Sequence, residues 1–235
     1  MRYFGGKQRI AKPLCEFINS QLVQGQVFVD AFCGSCNIIS NIRNDVIKMA
    51  NDKNEYLVAM WKALQNGWVP PNNVTEDYYK YIRESQANTE EERATKSFVG
   101  FGCSFAGKWW GGYARDGKGR NYAENAFNST LKKALSTKNV IFTCKDYSAL
   151  TIPHGSLVYC DIPYKGTTEY SATGWFDHEM FYRWAKEQGS RIIISEYEMN
   201  VPAGAKVIWQ QESKQDIRST SGDKKKTVEV LFEFM

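Results

Sequence analysis

The chain has 235 residues, 43% of them hydrophobic, with 30 Lys and Arg against 26 Asp and Glu and a net charge of +4. That length suits one large α/β domain, or a domain carrying a substantial insertion, and the apolar content is ample for a core. Such a composition excludes intrinsic disorder and a polycationic nucleic-acid-binding tail.

No stretch approaches the roughly 18 apolar residues of a membrane span. The segment through Lys12 has no apolar signal core, so a cytoplasmic protein without membrane association is expected. Of the cysteines Cys15, Cys33, Cys36, Cys103, Cys144 and Cys160, only Cys33 and Cys36 lie close together, and His154 and His178 are isolated. A zinc site wants about four ligands, so no metal is expected and the cysteines read as free thiols.

In chain order, Ile10, Leu14, Phe17, Ile18 and Leu22 recur at helical spacing and predict a helix over 9–22. Val27-Phe28-Val29 is a short strand ending at Asp30, followed by a glycine turn and a short helix through Ile38–Ile42. Val46 to Met49 is a second strand closing on Asn51-Asp52, and Leu57, Val58, Trp61 and Leu64 place a helix at 54–66 with Gly67 after its end. Strand, glycine turn, helix, strand, acidic residue, helix is a βαβ unit of the nucleotide-binding kind. From Val69 the pattern changes: Pro70-Pro71-Asn72-Asn73 breaks it and 75–97 is polar and helical in character. Phe98 to Lys138 is aromatic, glycine-rich and basic, with seven cations between Lys108 and Lys138 against Asp116 and Glu124. Segment 68–137 therefore reads as an insertion between catalytic-domain portions 1–67 and 138–235. The α/β pattern resumes with strands at 140–142, 157–160 and 191–195, a helix at 178–188 capped by Asp177, and strands near 206–211 and 227–234 flanking a polar loop, Glu212 to Lys226.

The turn Asp30-Ala31-Phe32-Cys33-Gly34-Ser35 lets backbone approach a ligand at a helix start. It lacks the spacing of a dinucleotide fingerprint or a P-loop, which favours a nucleoside without polyphosphate, S-adenosylmethionine above others. Asp52 is placed to accept ribose hydroxyls. An ordinary βα turn, or a redox pair of Cys33 and Cys36, are the alternatives. In Val158-Tyr159-Cys160-Asp161-Ile162-Pro163-Tyr164 a buried strand runs into an acidic, proline-locked, aromatic turn. Asp161 and the Ile162 carbonyl can each accept an N–H of an exocyclic amine and aim its lone pair. Pro163 presets the turn, and Tyr164 offers a stacking face. A strand-ending Asp turn with a packed tyrosine fits the same residues.

Together these motifs, with Arg2-Tyr3-Phe4-Gly5-Gly6-Lys7, Ala50-Asn51-Asp52-Lys53-Asn54, Ile192-Ile193-Ile194-Ser195 and the segment from Arg218 through Lys224-Lys225-Lys226 to Leu231, resemble the Dam-like (D12 class) N6-adenine DNA methyltransferases. Ile162 stands where that family has the first proline of D-P-P-Y, and Cys36 where its cofactor loop has a last glycine. The resemblance implies a Rossmann-like S-adenosylmethionine-dependent methyltransferase sheet with a mostly helical target-recognition insertion at 68–137. It implies cofactor contacts for Tyr3, Gly6, Lys7, Asp30, Phe32, Gly34, Ser35, Asp52 and Asp161, and for Asp146 and Tyr147 as an acidic–aromatic pair near the cofactor adenine. Catalysis would fall to Asp161, Ile162, Pro163 and Tyr164.

The implied partner is double-stranded DNA. Lys108, Trp109, Trp110, Tyr113, Arg115 and Arg120 would contact phosphates or fill the gap of a flipped base, joined by Arg218, Lys224 and Lys225. A helical subdomain with core tryptophans and a solvated basic loop is the alternative for this stretch. The expected activity is methyl transfer to N6 of a flipped adenine, in the setting of a bacterial or phage-infected cell and of restriction-modification, and the motifs are compatible with a monomer. Rival readings are transfer to cytosine N4, an RNA base or a protein glutamine, or a DNA-binding homologue impaired in catalysis.

Overall fold

The computed structural model of the chain describes residues 1–115, 119–165, 176–218 and 224–234, with the side chains of 213–218 and 224–226 outside that description. Seven strands form one sheet: β1 (Val27–Asp30), β2 (Ile47–Asn51), β3 (Ile141–Thr143), β4 (Leu157–Asp161), β5 (Arg191–Tyr197), β6 (Ala205–Arg218) and β7 (Lys224–Phe234). Their order is β3-β2-β1-β4-β5-β7-β6. The first five are mutually parallel, and β7 pairs antiparallel with both β5 and β6. The order reverses between β1 and β4, and the crevice beyond the carboxyl ends of such neighbours is where open α/β sheets bind ligands.

Parallel strands buried on both faces read as continuous apolar runs, and alternate residues divide between two cores. Phe28, Tyr159, Ile193 and Leu231 face one side, packed with α1 (Ala11–Gln21), α2 (Glu55–Gln65), α4 (Glu90–Ser97) and α5 (Tyr122–Ser136). Val29, Val158, Cys160, Ile192, Ile194, Val230 and Phe232 face the other, under α6 (His178–Glu187). Helices from segment 68–137 thus share the core of the sheet's first face: Ala94, Phe98, Val99, Phe101, Ala123 and Ala126 lie in one cluster with Leu57, Met60 and Trp61. α3 (Glu76–Glu84) adds Tyr79 and Ile82 to it.

Local signals account for the helix ends. Asn54 accepts the Tyr56 and Leu57 amides, Thr89 and Glu92 form a capping box, and Asp177 accepts the Met180 amide. Gly67 closes α2 at φ +92°, where the Trp68 amide returns to the Ala63 carbonyl at 2.9 Å.

Three expectations are corrected. The predicted helix through Ile38–Ile42 is only a 3-10 turn, Ile39–Asn41, because the chain leaves at Ile42 in extended conformation. The predicted loop Glu212 to Lys226 is mostly strand: β6 runs on to Arg218 and β7 starts at Lys224, with Glu212 opposite Val228 and Ser213 opposite Thr227. A two-stranded ribbon is held by its backbone ladder, so polar side chains there do not betray a strand. α5 falls inside the basic stretch, where no separate helix is predicted, although Asn121 caps it and Ala123, Ala126 and Thr130 form its buried stripe.

Beyond α4 the chain turns back on itself: Ser104 bridges Tyr113, the Phe105 amide donates to the Gly112 carbonyl, and the Phe4 amide donates to the Gly107 carbonyl at 3.0 Å. Gly107 has φ +69°, and a Cβ there would lie 2.7 Å from the Tyr3 nitrogen and 2.8 Å from the Arg2 carbonyl carbon. Neither backbone atom can move aside without shifting the segment that carries Lys7. Gly107→Ala is expected to lower stability by about 2–4 kcal/mol in urea unfolding, from left-handed strain plus overpacking; a loss under about 0.5 kcal/mol would contradict this packing.

Candidate active site

The acidic residues sit at the carboxyl ends of adjacent strands. Asp30 ends β1, Asp52 follows β2, and Asp161 ends β4 beside the switch point. Asn51 ties these ends together: its Nδ2 donates to the Ala31 and Lys145 carbonyls, and its Oδ1 accepts from Thr143 Oγ1 and the Lys145 amide. Sequence reasoning places Asn51 in a motif without a role; a buried Asn at a strand end is the available signal.

The glycine turn is shaped by Asp52. Its Oδ2 accepts the Gly34 amide and its Oδ1 the Asn54 amide, both at 2.8 Å, which leaves each oxygen a further lone pair. Burial raises the Asp52 pKa and those amides work against the rise. Gly34 itself has φ +45°, its carbonyl accepts from Trp61 Nε1 at 3.0 Å, and a Cβ on it would press on the Tyr3 ring at 3.1 Å. Cys36 occupies the left-handed region at φ 56°, the conformation a glycine adopts without cost. Cys33 and Cys36 are buried free thiols. Hydrogen bonding to Cys36, then burial, pushes Cys33 well up, and burial also raises Cys36. Thiolate chemistry is therefore disfavoured at this pair.

Asp30 is 1% exposed, and neither carboxylate oxygen has a hydrogen-bond partner among the described residues. Burial, then the charge of Asp161, pushes its pKa far above the carboxylate range; the Ile39 and Phe32 amides lie near enough to lean the other way but not in hydrogen-bonding geometry. An orphaned buried carboxylate beside a glycine cradle fits the amino group of an amino-acid-bearing ligand.

Around Asp161 the N-terminal motif and the last strand converge. Lys7 Nζ lies 3.0 Å from Asp161 Oδ1, 3.7 Å from Glu229 Oε2 and 4.0 Å from the Tyr164 ring centroid. Burial opposes the Lys7 charge, yet the Asp161 and Glu229 carboxylates outweigh it and raise the pKa. Burial raises Asp161 and Glu229 adds to the rise, with Lys7 pulling down. The Tyr164 hydroxyl donates to Glu229 Oε2 at 2.6 Å and lies 2.7 Å from Ser195 Oγ, and its ring meets Tyr197 edge-on. Tyr164, expected to offer an open stacking face, is thus buried, with Lys7 over its ring. Ile162 is buried and the Pro163 carbonyl lies 2.8 Å from His178 Nε2. Sequence reasoning includes Ser195 and the segment of Glu229 only as parts of motifs and gives neither of them, nor His178, a role at the site.

Phe32 packs against Tyr147, Phe176 and Phe181 at centroid distances of 5.9, 6.0 and 5.8 Å. Asp146 pairs with Lys53 at 3.3 Å. Partial burial opposes it, but hydrogen bonds from Ser148 and the Lys53 charge keep Asp146 below the usual carboxylate range. Tyr3 packs on Phe101, and Gly6 faces Asn37, whose Nδ2 would lie 2.8 Å from a Cβ there. Ser35 is buried and its Oγ accepts from Asn37 Nδ2. The residues expected to bind cofactor therefore lie on the turns at the carboxyl end of the parallel strands or on segments packed against them.

The residues expected at DNA are less uniform. Lys108 is exposed with its ammonium over the Phe4 ring, and Arg120 is exposed. Trp109 and Trp110 are half-buried, the first against Phe101 and Tyr56, the second against Tyr79. Tyr113 donates its hydroxyl to the Val74 carbonyl, and Arg115 Nη2 donates to both carboxylate oxygens of Glu76. The side chains of Arg218, Lys224 and Lys225 lie outside the described residues, as does Lys118 of the basic stretch. Among the described residues no His, Cys, Asp and Glu cluster could hold a metal, and no helix is long and apolar enough to cross a membrane.

Residues 3–101 match the family model described as D12 class N6 adenine-specific DNA methyltransferase. No curated protein matches the chain. Similar solved structures include the rRNA methyltransferase aviRa from Streptomyces viridochromogenes, at 14% identity over 96% of this chain and 84% of that one with a TM-score of 0.44. An rRNA methylase from Streptococcus thermophilus is 10% identical over 97% of this chain and 98% of that one, TM-score 0.43. SMU.472, complexed with SAH, is 11% identical over 98% of this chain and 54% of that one, TM-score 0.37.

Proposed function

We propose that this methyltransferase, whose residues 3–101 carry the D12 class sequence on a Rossmann-like sheet and whose cofactor is S-adenosylmethionine, methylates N6 of an adenine turned out of double-stranded DNA. The observation that carries the reading is the Lys7–Asp161–Glu229 cluster at the sheet's switch point, one strand away from the orphaned Asp30. When bound, the cofactor supplies an electrophilic methyl group.

The chain's own residues do the rest. Asp30 takes the amino group of the cofactor, Asp52 its ribose, and Phe32 packs beside it. Lys7 engages Oδ1 of Asp161, so Oδ2 is the oxygen that accepts an N–H of the target amine, with the Ile162 carbonyl accepting the second. Two acceptors leave the nitrogen lone pair aimed along a single direction, an orientation effect. With one ammonium and two carboxylates the cluster carries an excess negative charge. Transfer of the amine proton to Asp161 brings it to neutrality, so the proton released as the new N–C bond forms has an acceptor on hand. Lys108 and Arg120, both exposed, contribute phosphate contacts, whereas Arg115 is held by Glu76.

The test is labelled S-adenosylmethionine with unmethylated duplex DNA, and single-stranded RNA in parallel. Label recovered as N6-methyladenine from the duplex is the expected result. Label in RNA alone, or cofactor binding without transfer to either, would overturn the reading. Exchange of both Lys108 and Arg120 for glutamine is expected to shrink the slope of log affinity against log salt by about one for each phosphate no longer neutralised. An unchanged slope would remove this segment from the DNA interface.

A further inference from the structure

Lys133 belongs by sequence to the basic surplus between Lys108 and Lys138, yet it does not point into solvent as its neighbour Lys132 does. From the last turn of α5 its Nζ reaches the Ser35 carbonyl and the Asn37 side-chain oxygen, each at 2.6 Å. Ser35 follows Gly34 in the glycine turn. Asn37 in turn donates to Ser35 Oγ at 3.0 Å and lies under Gly6. One ammonium thus gathers the turn's outgoing backbone and the side chain beneath the Gly6-Lys7 segment.

We propose that Lys133 is a positioning residue for the cofactor: it braces the 34–37 turn from outside so that the Gly34 amide stays on Asp52. The inference rests on the cofactor reading above but not on the identity of the methylated base. An ammonium satisfies two carbonyl-type acceptors that converge at one point, and the charge makes each bond stronger than a neutral one. Burial lowers the Lys133 pKa to about 8, with Cys36 opposing, so the cation carries a desolvation cost that the two short bonds help to offset. The Gly34 carbonyl is already engaged by Trp61 and the Gly34 amide by Asp52. Lys133 adds a charged restraint to the next residues, beside the bonds from the Cys36 amide to the Cys33 carbonyl and from Asn41 to the Asn37 carbonyl, where Cys36 is strained in the left-handed region.

The experiment is calorimetric titration of the full chain with S-adenosylhomocysteine, the demethylated cofactor, for wild type, Lys133→Met, Lys133→Gln and the exposed control Lys132→Met. Lys133→Met is expected to weaken binding about tenfold, the scale of removing charged hydrogen bonds, with the kcat at saturating cofactor within about threefold of wild type. Lys133→Gln, which keeps an N–H donor, should fall between, and Lys132→Met should bind as wild type. Wild-type affinity in a folded Lys133→Met, or equal weakening in Lys132→Met, would overturn the proposal. Should Lys133→Met fail to fold, Lys133→Gln decides: weaker binding at an unchanged melting temperature supports the brace, and wild-type binding refutes it. A wild-type chain that binds no S-adenosylhomocysteine would instead overturn the cofactor reading itself.

Discussion

Asp161→Ala is expected to reduce methyl transfer by about a thousandfold or more in kcat, the scale of removing a group that orients and polarises the reacting atom, while duplex DNA binding stays within about threefold. On the proposed reading, the change removes the acceptor for the target amine and the proton acceptor together. Its structural cost is softened, because Lys7 keeps Glu229 at 3.7 Å and the Tyr164 ring at 4.0 Å. Breaking one ion pair of a buried cation that retains a second carboxylate should cost roughly 1–3 kcal/mol. Single-turnover kinetics, a filter-binding isotherm and a melting curve on the same preparation separate these effects. An equal drop in transfer and in DNA binding would show that Asp161 shapes the DNA surface and does not act on the amine. Because the Lys7 pKa is raised, its contribution to stability is complete below the ordinary lysine pKa. It disappears only as pH rises through the raised value, so stability should decline in strongly alkaline solution.

Asp30→Asn carries the second large expected effect, with opposite signs for binding and stability. The variant should bind S-adenosylhomocysteine about a hundredfold more weakly, since on the proposed reading a buried carboxylate facing the cofactor's ammonium is exchanged for a neutral amide. It should also be more stable than wild type near neutral pH by roughly 1–2 kcal/mol. The folded pKa of Asp30 lies far above its unfolded one. Wild-type stability is therefore full below the unfolded carboxylate pKa and drains away as pH rises toward and through the folded value; the variant removes that decline. Urea midpoints across about pH 4 to 8 check it. A variant that is less stable than wild type at every pH, with unchanged cofactor affinity, would make Asp30 a structural residue and not a carboxylate held unpartnered for a ligand.

Much of this is legible in the amino-acid order, and the reasons are local. The strand ending in Asp30, the glycine turn, the helix from Asn54 to Gly67 and the Asp161-Ile162-Pro163-Tyr164 turn are each specified by residues close to one another along the chain. Periodicity, caps and turn chemistry report such elements directly. Cys36 shows both the reach and the edge of that reasoning. Its place in the loop marks a position where glycine belongs, and only the backbone, at φ 56°, shows that the cysteine adopts the glycine conformation.

What the amino-acid order could not reveal was decided by packing between distant segments. Glu229 reaches Lys7 from the last strand because β7 inserts antiparallel beside β5. Tyr164 is buried under Lys7, and Lys133 turns from the basic stretch onto the glycine turn. Whether a lysine is a solvated charge, a phosphate contact or a buried brace depends on which carbonyls and carboxylates the tertiary fold brings within hydrogen-bonding reach, and no spacing along the chain encodes that distance. The small net charge of +4 is likewise a sum over the whole chain. The order of residues is enough to place the surplus cations between Lys108 and Lys138. The fold decided that Arg115 is taken up by Glu76 and Lys133 by the turn, while Lys108 stays exposed with its ammonium over the Phe4 ring.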